Sequence, residues 1–323
     1  MKPRALGRGS REEIAVAARI LDGRAMADRW RAWVKAQVAA FRDRTGQVPG
    51  LATVLIGDHP ASQSYVRAKQ RACAEVGIRT FHHHLPGEAD RRTVLGLLGR
   101  LADNPEVHGI LVQLPLPPHL DEEEILGAIP LEKDVDGFHP WNIGRLGLKG
   151  RDPYFVPCTP LGILTMLQEA QIPIAGRRAV VLGRSRIVGL PMALLLLRLD
   201  ATVTVCHSRT PHLAEVTRQA DLLIVATGRP GLVQGEMVRP GAAVIDVGIH
   251  RVPDPQAPGG YRLVGDVVFE EVVQVAGALT PVPGGVGPMT VAMLLVNTLK
   301  AAQRQVEGSA SPWPEPPPAA APL

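Results

Sequence analysis

The sequence predicts an α/β protein made of two α/β domains with a cleft between them, and three observations carry that prediction. Short apolar runs alternate with amphipathic runs along most of the chain, and the alternation restarts near Pro160. A strand pattern at Ala179–Leu182 enters a glycine turn and then a helical run. Further on, Pro281-Val282-Pro283-Gly284-Gly285-Val286-Gly287-Pro288-Met289-Thr290 places three Gly and three Pro in ten residues, directly before the apolar run Val291–Val296. Such a segment suits neither a strand nor a helix interior, because proline lacks an N–H and glycine carries a high conformational cost. It reads as a loop of fixed dihedrals feeding a helix, with backbone N–H groups turned toward a ligand.

In the first series, Ile20-Leu21 reads as a short strand and Met26–Phe41 as a long amphipathic helix. Leu51–Gly57 is a buried strand ending in Gly, and Ala61–Val76 is helical. Arg79–His84 is a strand and Arg91–Ala102 a helix. Gly109–Leu114 is an apolar strand stopped by Pro115, Pro117 and Pro118, and Glu122–Ile129 is helical. The second series reads as helix Leu161–Ala170, strand Arg178–Gly183, helix Leu190–Arg198, strand Thr202–Cys206 and helix His212–Gln219. Strands Leu222–Thr227 and Ala243–Val247 follow, and Met289–Ala302 is a helix. Repeated βα order with apolar strands predicts mostly parallel sheets covered by helices.

Domain limits follow from composition. Residues 1–17, polar and basic with Gly7 and Gly9, read as a disordered extension; a transit peptide is the minority alternative, weakened by Glu12 and Glu13. Residues 18–158 form the first domain and 159–288 the second, while 289–305 return as a helix to the first. Residues 306–323, rich in Pro and Ala, read as a disordered tail.

At 323 residues the chain can bury two cores, and with aromatics at only 4% those cores must be built from Leu, Val, Ile and Ala. No run approaches the ~20 apolar residues of a membrane span; the longest, around Met192–Leu197, is far shorter. Cys73, Cys158 and Cys206 are odd in number and widely spaced, which suits neither a disulfide framework nor a metal site and points to a reducing cytoplasm. The net charge of +4 comes without a basic block interleaved with aromatics, so nucleic acid is not an expected partner and a polyanionic small molecule is. His82, His83 and His84 cluster, but neighbours on a strand point to opposite faces, and no metal is expected.

The turn Gly183-Arg184-Ser185-Arg186-Ile187-Val188-Gly189-Leu190-Pro191 sits in the context of a dinucleotide-binding turn, strand before and helix after. Gly183 permits the tight turn and Gly189 a close approach; the middle glycine of the usual pattern is missing. The next strand ends in Thr204-Val205-Cys206-His207-Ser208-Arg209-Thr210. No acid stands there to bind a ribose 2′-hydroxyl, and Ser208 and Arg209 favour a 2′-phosphate, hence NADP, with Arg184 adding charge. The plainer alternative is an ordinary α/β turn with surface arginines.

Only six of the 35 basic residues are lysine, so a lysine near a strand end carries weight. Tyr65-Val66-Arg67-Ala68-Lys69 opens a helix after strand Leu51–Gly57, and a spacing of four puts Tyr65 and Lys69 on one face. An amine with a free pKa of about 10.4 acts as a base only if its environment lowers that value, and burial would do so. A snorkelling surface Lys is the alternative. Gln113, at the end of an apolar strand, needs partners and could orient an amine. Asp136, in Lys133-Asp134-Val135-Asp136-Gly137, is either a plain turn residue or an acid that grips an amino-substituted heterocycle by paired hydrogen bonds.

Together these segments, with Val112-Gln113-Leu114-Pro115-Leu116-Pro117 and Pro157-Cys158-Thr159-Pro160, resemble the bifunctional methylenetetrahydrofolate dehydrogenase/methenyltetrahydrofolate cyclohydrolase family from about Ala18 to Ala302. The resemblance implies two reactions in one cleft. NADP⁺ takes a hydride from 5,10-methylenetetrahydrofolate, and water then opens the methenyl product to 10-formyltetrahydrofolate. It implies Lys69 as the essential base, Gln113 holding it, Tyr65 stacking on the folate and Asp136 binding the pterin edge. It implies Gly183, Arg184, Ser185, Ser208 and Ile249 at the cofactor, to which Arg209 is added here. Leu114, Pro283, Gly284 and Gly285 would line the folate site, and a homodimer would form through the cofactor domain. A monofunctional NADP-dependent dehydrogenase and a non-catalytic NADP- or folate-binding protein are the competing readings; Lys69, Gln113 and Asp136 standing together argue against both. An amino-acid or shikimate-type dehydrogenase of similar two-domain shape would have no use for the loop at Pro281–Thr290.

Overall fold

Both βα series form, and each builds its own parallel sheet. The computed structural model describes residues 17–257 and 259–308 with Ser311 and Trp313. Strand β1 (Arg19–Ile20) leads into α1 (Gly23–Thr45), whose first turn is capped by Asp22, accepting from the Ala25 N–H at 3.0 Å. Then follow β2 (Gly50–Ile56), α2 (Pro60–Val76), β3 (Arg79–Leu85), α3 (Arg91–Asp103), β4 (Gly109–Val112), α4 (Glu122–Gly127) and α5 (Pro140–Leu146). The second series runs α6 (Cys158–Glu169), β5 (Arg178–Leu182), α7 (Gly189–Arg198), β6 (Thr202–Cys206), α8 (Leu213–Thr217), β7 (Leu222–Val225) and β8 (Ala243–Asp246). It ends with β9 (His250–Pro253), β10 (Tyr261–Val264), α9 (Phe269–Val272), β11 (Ala278–Leu279) and α10 (Val286–Glu307).

The first sheet has the order β3-β2-β4, the second β1-β11-β8-β7-β5-β6, and every pairing in both is parallel. Strands covered on both faces need no polar alternation, which is why β2, β4, β7 and β8 are apolar and buried throughout or nearly so. The molecule is thus two α/β domains, the second Rossmann-like. Helix α10 packs on α1, α6 and α2, and one core runs from Trp30 and Phe41 of α1 through Leu161 and Leu167 of α6 to Leu295 and Leu299 of α10. Buried Asn297 of α10 donates to the carbonyls of Val135 at 2.8 Å and Val156 at 3.1 Å, fixing the helix against the segments that hold Asp136 and Cys158.

Several elements depart from the sequence expectations. The short strand near Ile20 was expected with the first domain, but it pairs with β11 at the edge of the second sheet. A two-residue strand has no pattern that specifies a partner, and β11, just as short, was not predicted at all. Nor were α5, α9 and the antiparallel hairpin β9–β10, all too short to show a period. Helix α10 begins inside the Gly-Pro loop and runs five residues past Ala302, so 306 and 307, expected in the tail, are helical. Trp313 is also tied down, its indole N–H donating to Asp152 at 3.2 Å beneath the Arg198 guanidinium. The rest of the expected tail from 309 on, Ser311 apart, and residues 1–16 of the expected extension lie outside the described residues.

Candidate active site

Lys69 lies on α2, half-buried, and its Nζ donates to Gln113 Oε1 at 3.1 Å. Gln113 follows β4; its backbone N–H donates to Val54 O at 2.9 Å and its Nε2 to Leu114 O at 2.7 Å. Because that Nε2 is committed to a carbonyl, Oε1 must face the amine, and the amide has one allowed orientation. Leu114 serves through its carbonyl and precedes a cis Pro115. Tyr65 stands one turn before Lys69 on the same face and is 43% exposed.

Of the two acids in the Lys133–Gly137 turn, Asp134 is buried and consumed: it accepts from the N–H of Phe138 at 3.2 Å and His139 at 2.8 Å and from Asn142 Nδ2 at 2.8 Å. Burial nonetheless pushes its carboxyl up to about 7. Lys133 is also structural, capping α3 through the carbonyls of Ala102 at 2.6 Å and Asn104 at 3.0 Å. Asp136 is left facing Lys69 and the Cys158 thiol. Burial raises its carboxyl above the ordinary range, and the Lys69 ammonium and the thiol hold it back. Burial drives the Cys158 thiol well up, and Asp136 adds to that; Cys73, one turn beyond Lys69, is pushed up to about 12, again by burial. Neither sulfur is poised as a nucleophile. Cys158, part of the Pro157–Pro160 motif, takes its place beside Asp136 only in the fold; nothing in the spacing of the two predicts the contact.

The Gly-Pro loop reaches this cluster through helix packing. Cys158 opens α6, and its neighbour Thr159 meets Thr290, in the first turns of α10, at 3.0 Å between hydroxyls. Gly284 O accepts from the Arg24 N–H at 2.9 Å, and a Cβ on Gly23 would stand 1.9 Å from Gly285 O, so the loop lies on the start of α1. Pro283 is exposed, after a cis peptide bond, with half-buried Gly284 and buried Gly285 behind it.

A cavity of about 370 Å³ opens at the carboxyl ends of β5, β6 and β7. Gly183, Arg184, Ser185 and Ser208 line it, together with Thr210, Thr227 and Arg229. The turn is closed tightly: Gly183 has φ +112, and a Cβ on Gly189 would stand 2.2 Å from Gly183 O. Ser185 Oγ accepts from the N–H of Val188 at 3.2 Å and Gly189 at 3.4 Å, holding the start of α7 on the turn. Backbone this close to a helix start, with two guanidinium groups on the rim and no acid at the end of β6, fits a phosphorylated dinucleotide. Arg209 and Ile249 lie outside this lining; Arg229, which the sequence did not single out, occupies it instead. Among the described residues no group of three or more His, Cys, Asp or Glu could hold a metal ion, and no helix is long and apolar enough to cross a membrane.

Comparison with known proteins bears on both sites. The model of the tetrahydrofolate dehydrogenase/cyclohydrolase catalytic domain matches residues 21–136, and that of the NAD(P)-binding domain of the same name matches 157–306. A bifunctional protein FolD of Arabidopsis thaliana is 54% identical over 287 residues, covering 89% of this chain and 96% of the relative. The bifunctional protein FolD of Moorella thermoacetica is 54% identical, with 89% and 99% covered. The crystal structure of a Trypanosoma brucei methylenetetrahydrofolate dehydrogenase-cyclohydrolase with NADP and an inhibitor has a TM-score of 0.87 at 46% identity, covering 90% of this chain and 99% of that one.

Proposed function

The chain belongs to the tetrahydrofolate dehydrogenase/cyclohydrolase family, and from that premise we propose that Lys69, Gln113, Tyr65 and Asp136 carry its chemistry in a single cleft. The protein is a bifunctional enzyme of one-carbon folate metabolism. It oxidises 5,10-methylenetetrahydrofolate to the 5,10-methenyl form with NADP and hydrolyses that product to 10-formyltetrahydrofolate. Bound NADP⁺ supplies the hydride acceptor. Gly183, Arg184, Ser185 and Ser208 hold it, joined by Thr227 and Arg229 from the same cavity. Ile249 and Arg209 stand outside that lining.

In the hydrolytic step the Lys69 amine takes a proton from the water that adds to the methenyl carbon. The resulting ammonium returns a proton to the nitrogen that leaves as the ring opens, and the hydroxyl proton of the adduct passes to solvent as the formyl carbonyl forms. Gln113 Oε1, at 3.1 Å, holds one N–H and so aims the amine's lone pair away from itself. Asp136 offers its carboxylate to the amino-substituted pterin edge. A half-buried carboxylate with few internal donors gains most from two N–H groups in a pair. Tyr65 presents an exposed ring face for stacking. Leu114, Pro283, Gly284 and Gly285 shape the folate site. A homodimer through the second domain is supported by β6, an edge strand whose Val205 is 41% exposed next to α7, where Leu197 is 55% exposed. Three buried free thiols suit the reducing cytoplasm.

The observation that carries this reading is the Lys69–Gln113 hydrogen bond beside Asp136. The test supplies 5,10-methylenetetrahydrofolate and NADP⁺ to the wild type and to Lys69→Ala, following NADPH and the methenyl chromophore separately. The variant should lose about 10²–10⁴-fold in hydrolysis and accumulate the methenyl compound, while hydride transfer suffers less. A wild type that makes no NADPH rules out the oxidoreductase. A variant that hydrolyses methenyl as fast as wild type removes Lys69 from the mechanism.

A further inference from the structure

Resting on the NADP-dependent reading above, we propose that His250 is a positioning residue for the oxidative reaction: clipped to the buried Asp266 carboxylate, it fixes the two loops that border the nicotinamide end of the cofactor site. Asp266 has no exposed surface, yet it receives four donors. Its Oδ2 accepts from Thr227 N–H at 2.6 Å, Thr227 Oγ1 at 2.9 Å and Gly228 N–H at 2.9 Å. Its Oδ1 accepts from His250 Nε2 at 2.6 Å. Thr227 lines the cofactor cavity, and its hydroxyl also accepts from the N–H of Arg229, another lining residue, at 3.2 Å.

The other loop is held from the same acid. Gly248 lies against Asp266, where a Cβ would stand 2.3 Å from Oδ1, and its N–H donates to Asp246 at 2.9 Å. Asp246 in turn accepts from the N–H of Asp266 and Val267, both at 3.0 Å. Ile249, 44% exposed, sits between this anchored glycine and His250. His250 begins β9 and pairs with Val264 of β10, two residues before Asp266, so the side-chain clip closes the base of the hairpin.

Sheet order gives the location its meaning. Ser208, beyond β6, marks the ribose-phosphate end, and β5, β7 and β8 follow in that order. A dinucleotide laid across the strand ends from β6 brings its nicotinamide over the loops after β7 and β8, which are the two that Asp266 joins. Removing the imidazole leaves Oδ1 buried without its partner and frees the segment at Ile249.

The test uses His250→Leu, which deletes the donor, and His250→Gln, which keeps an N–H at similar reach. NADP⁺-dependent oxidation is measured with NADP⁺ varied, and hydrolysis is measured separately on supplied methenyltetrahydrofolate, which needs no cofactor. We expect His250→Leu to lower kcat/KM for NADP⁺ about 10–100-fold, mainly through KM, while hydrolysis holds. Gln should recover most of the loss. Equal loss of both reactions would make His250 a general fold residue and overturn the inference. So would unchanged NADP⁺ kinetics, or a Gln variant as poor as Leu. A wild type without NADPH formation would overturn the oxidative reading and this inference with it, whereas a defect-free variant of an active wild type overturns the inference alone.

Discussion

Each half of the molecule carries two neighbouring buried or half-buried acids, and the two halves use them differently. In the first, Asp134 spends its oxygens on the Phe138 and His139 N–H groups and on Asn142, while Asp136 meets only the Cys158 thiol and the field of Lys69. In the second, Asp246 accepts three backbone N–H groups and Asp266 accepts four donors. Asp136 retains the most open acceptor capacity of the four, and it is the one beside the amine. An acid is available to a substrate only to the extent that the fold leaves its lone pairs unused. The folate side is therefore built for chemistry, and the cofactor side is built for shape.

The largest effect should come from emptying the cofactor-side network. Asp266→Ala orphans the Thr227 and Gly228 N–H groups and the imidazole together, and should lower unfolding free energy by about 3 kcal/mol or more in urea melts. Asp136→Asn should do the reverse. Burial already disfavours its charged form, so denaturation midpoints should hold or rise, while folate KM climbs about 10–100-fold, roughly 1.4–2.7 kcal/mol of binding. If both variants lose stability alike, the contrast between the two acid pairs collapses.

A pH series sharpens the comparison within the first pair. Folded Asp134 keeps its proton up to about pH 7, whereas an unfolded chain releases it near ~3.9. The folded state binds the extra proton between those values. Stability from this group is full below about 3.9 and is lost as pH rises through 7. Asp246, pushed up to about 6 by burial, acts in the same direction. Thermal melts should show Asp134→Asn losing less stability than wild type between mildly acidic and neutral pH. The smallest effect belongs to Arg186→Ala. Its 3.0 Å pair with Glu123 links α4 to the phosphate turn, but both side chains are mostly exposed, and the loss should stay within about 1 kcal/mol in NADP⁺ affinity.

The parallel sheets were legible because buried strands flanked by helices write long apolar runs at regular intervals. Lys69, Gln113 and Asp136 stood out for being polar at strand ends or on a helix face, and the structure brings them together. Spacing alone does not separate Asp136, the acid the sequence singled out, from Asp134, because two acids in one turn differ only in which backbone N–H groups reach them. Arg229 was invisible for a related reason: in an arginine-rich chain, the type of side chain says nothing about which arginine lines a cavity. The β9–β10 hairpin, with Pro253 in one strand and Gly259-Gly260 before the other, hides its pairing behind turn residues.

The sequence by itself determined the two βα series, the glycine turn at Gly183, the rigid loop ahead of α10 and the family to which those motifs point. All of these are written in local periods and backbone-restricting residues, which act within a few positions along the chain. Only the tertiary structure decided that β1 joins the second sheet, that Cys158 faces Asp136 and that His250 closes on Asp266. Those outcomes depend on which distant groups share one volume, and no period along the chain encodes the hydrogen-bond accounting that settles them.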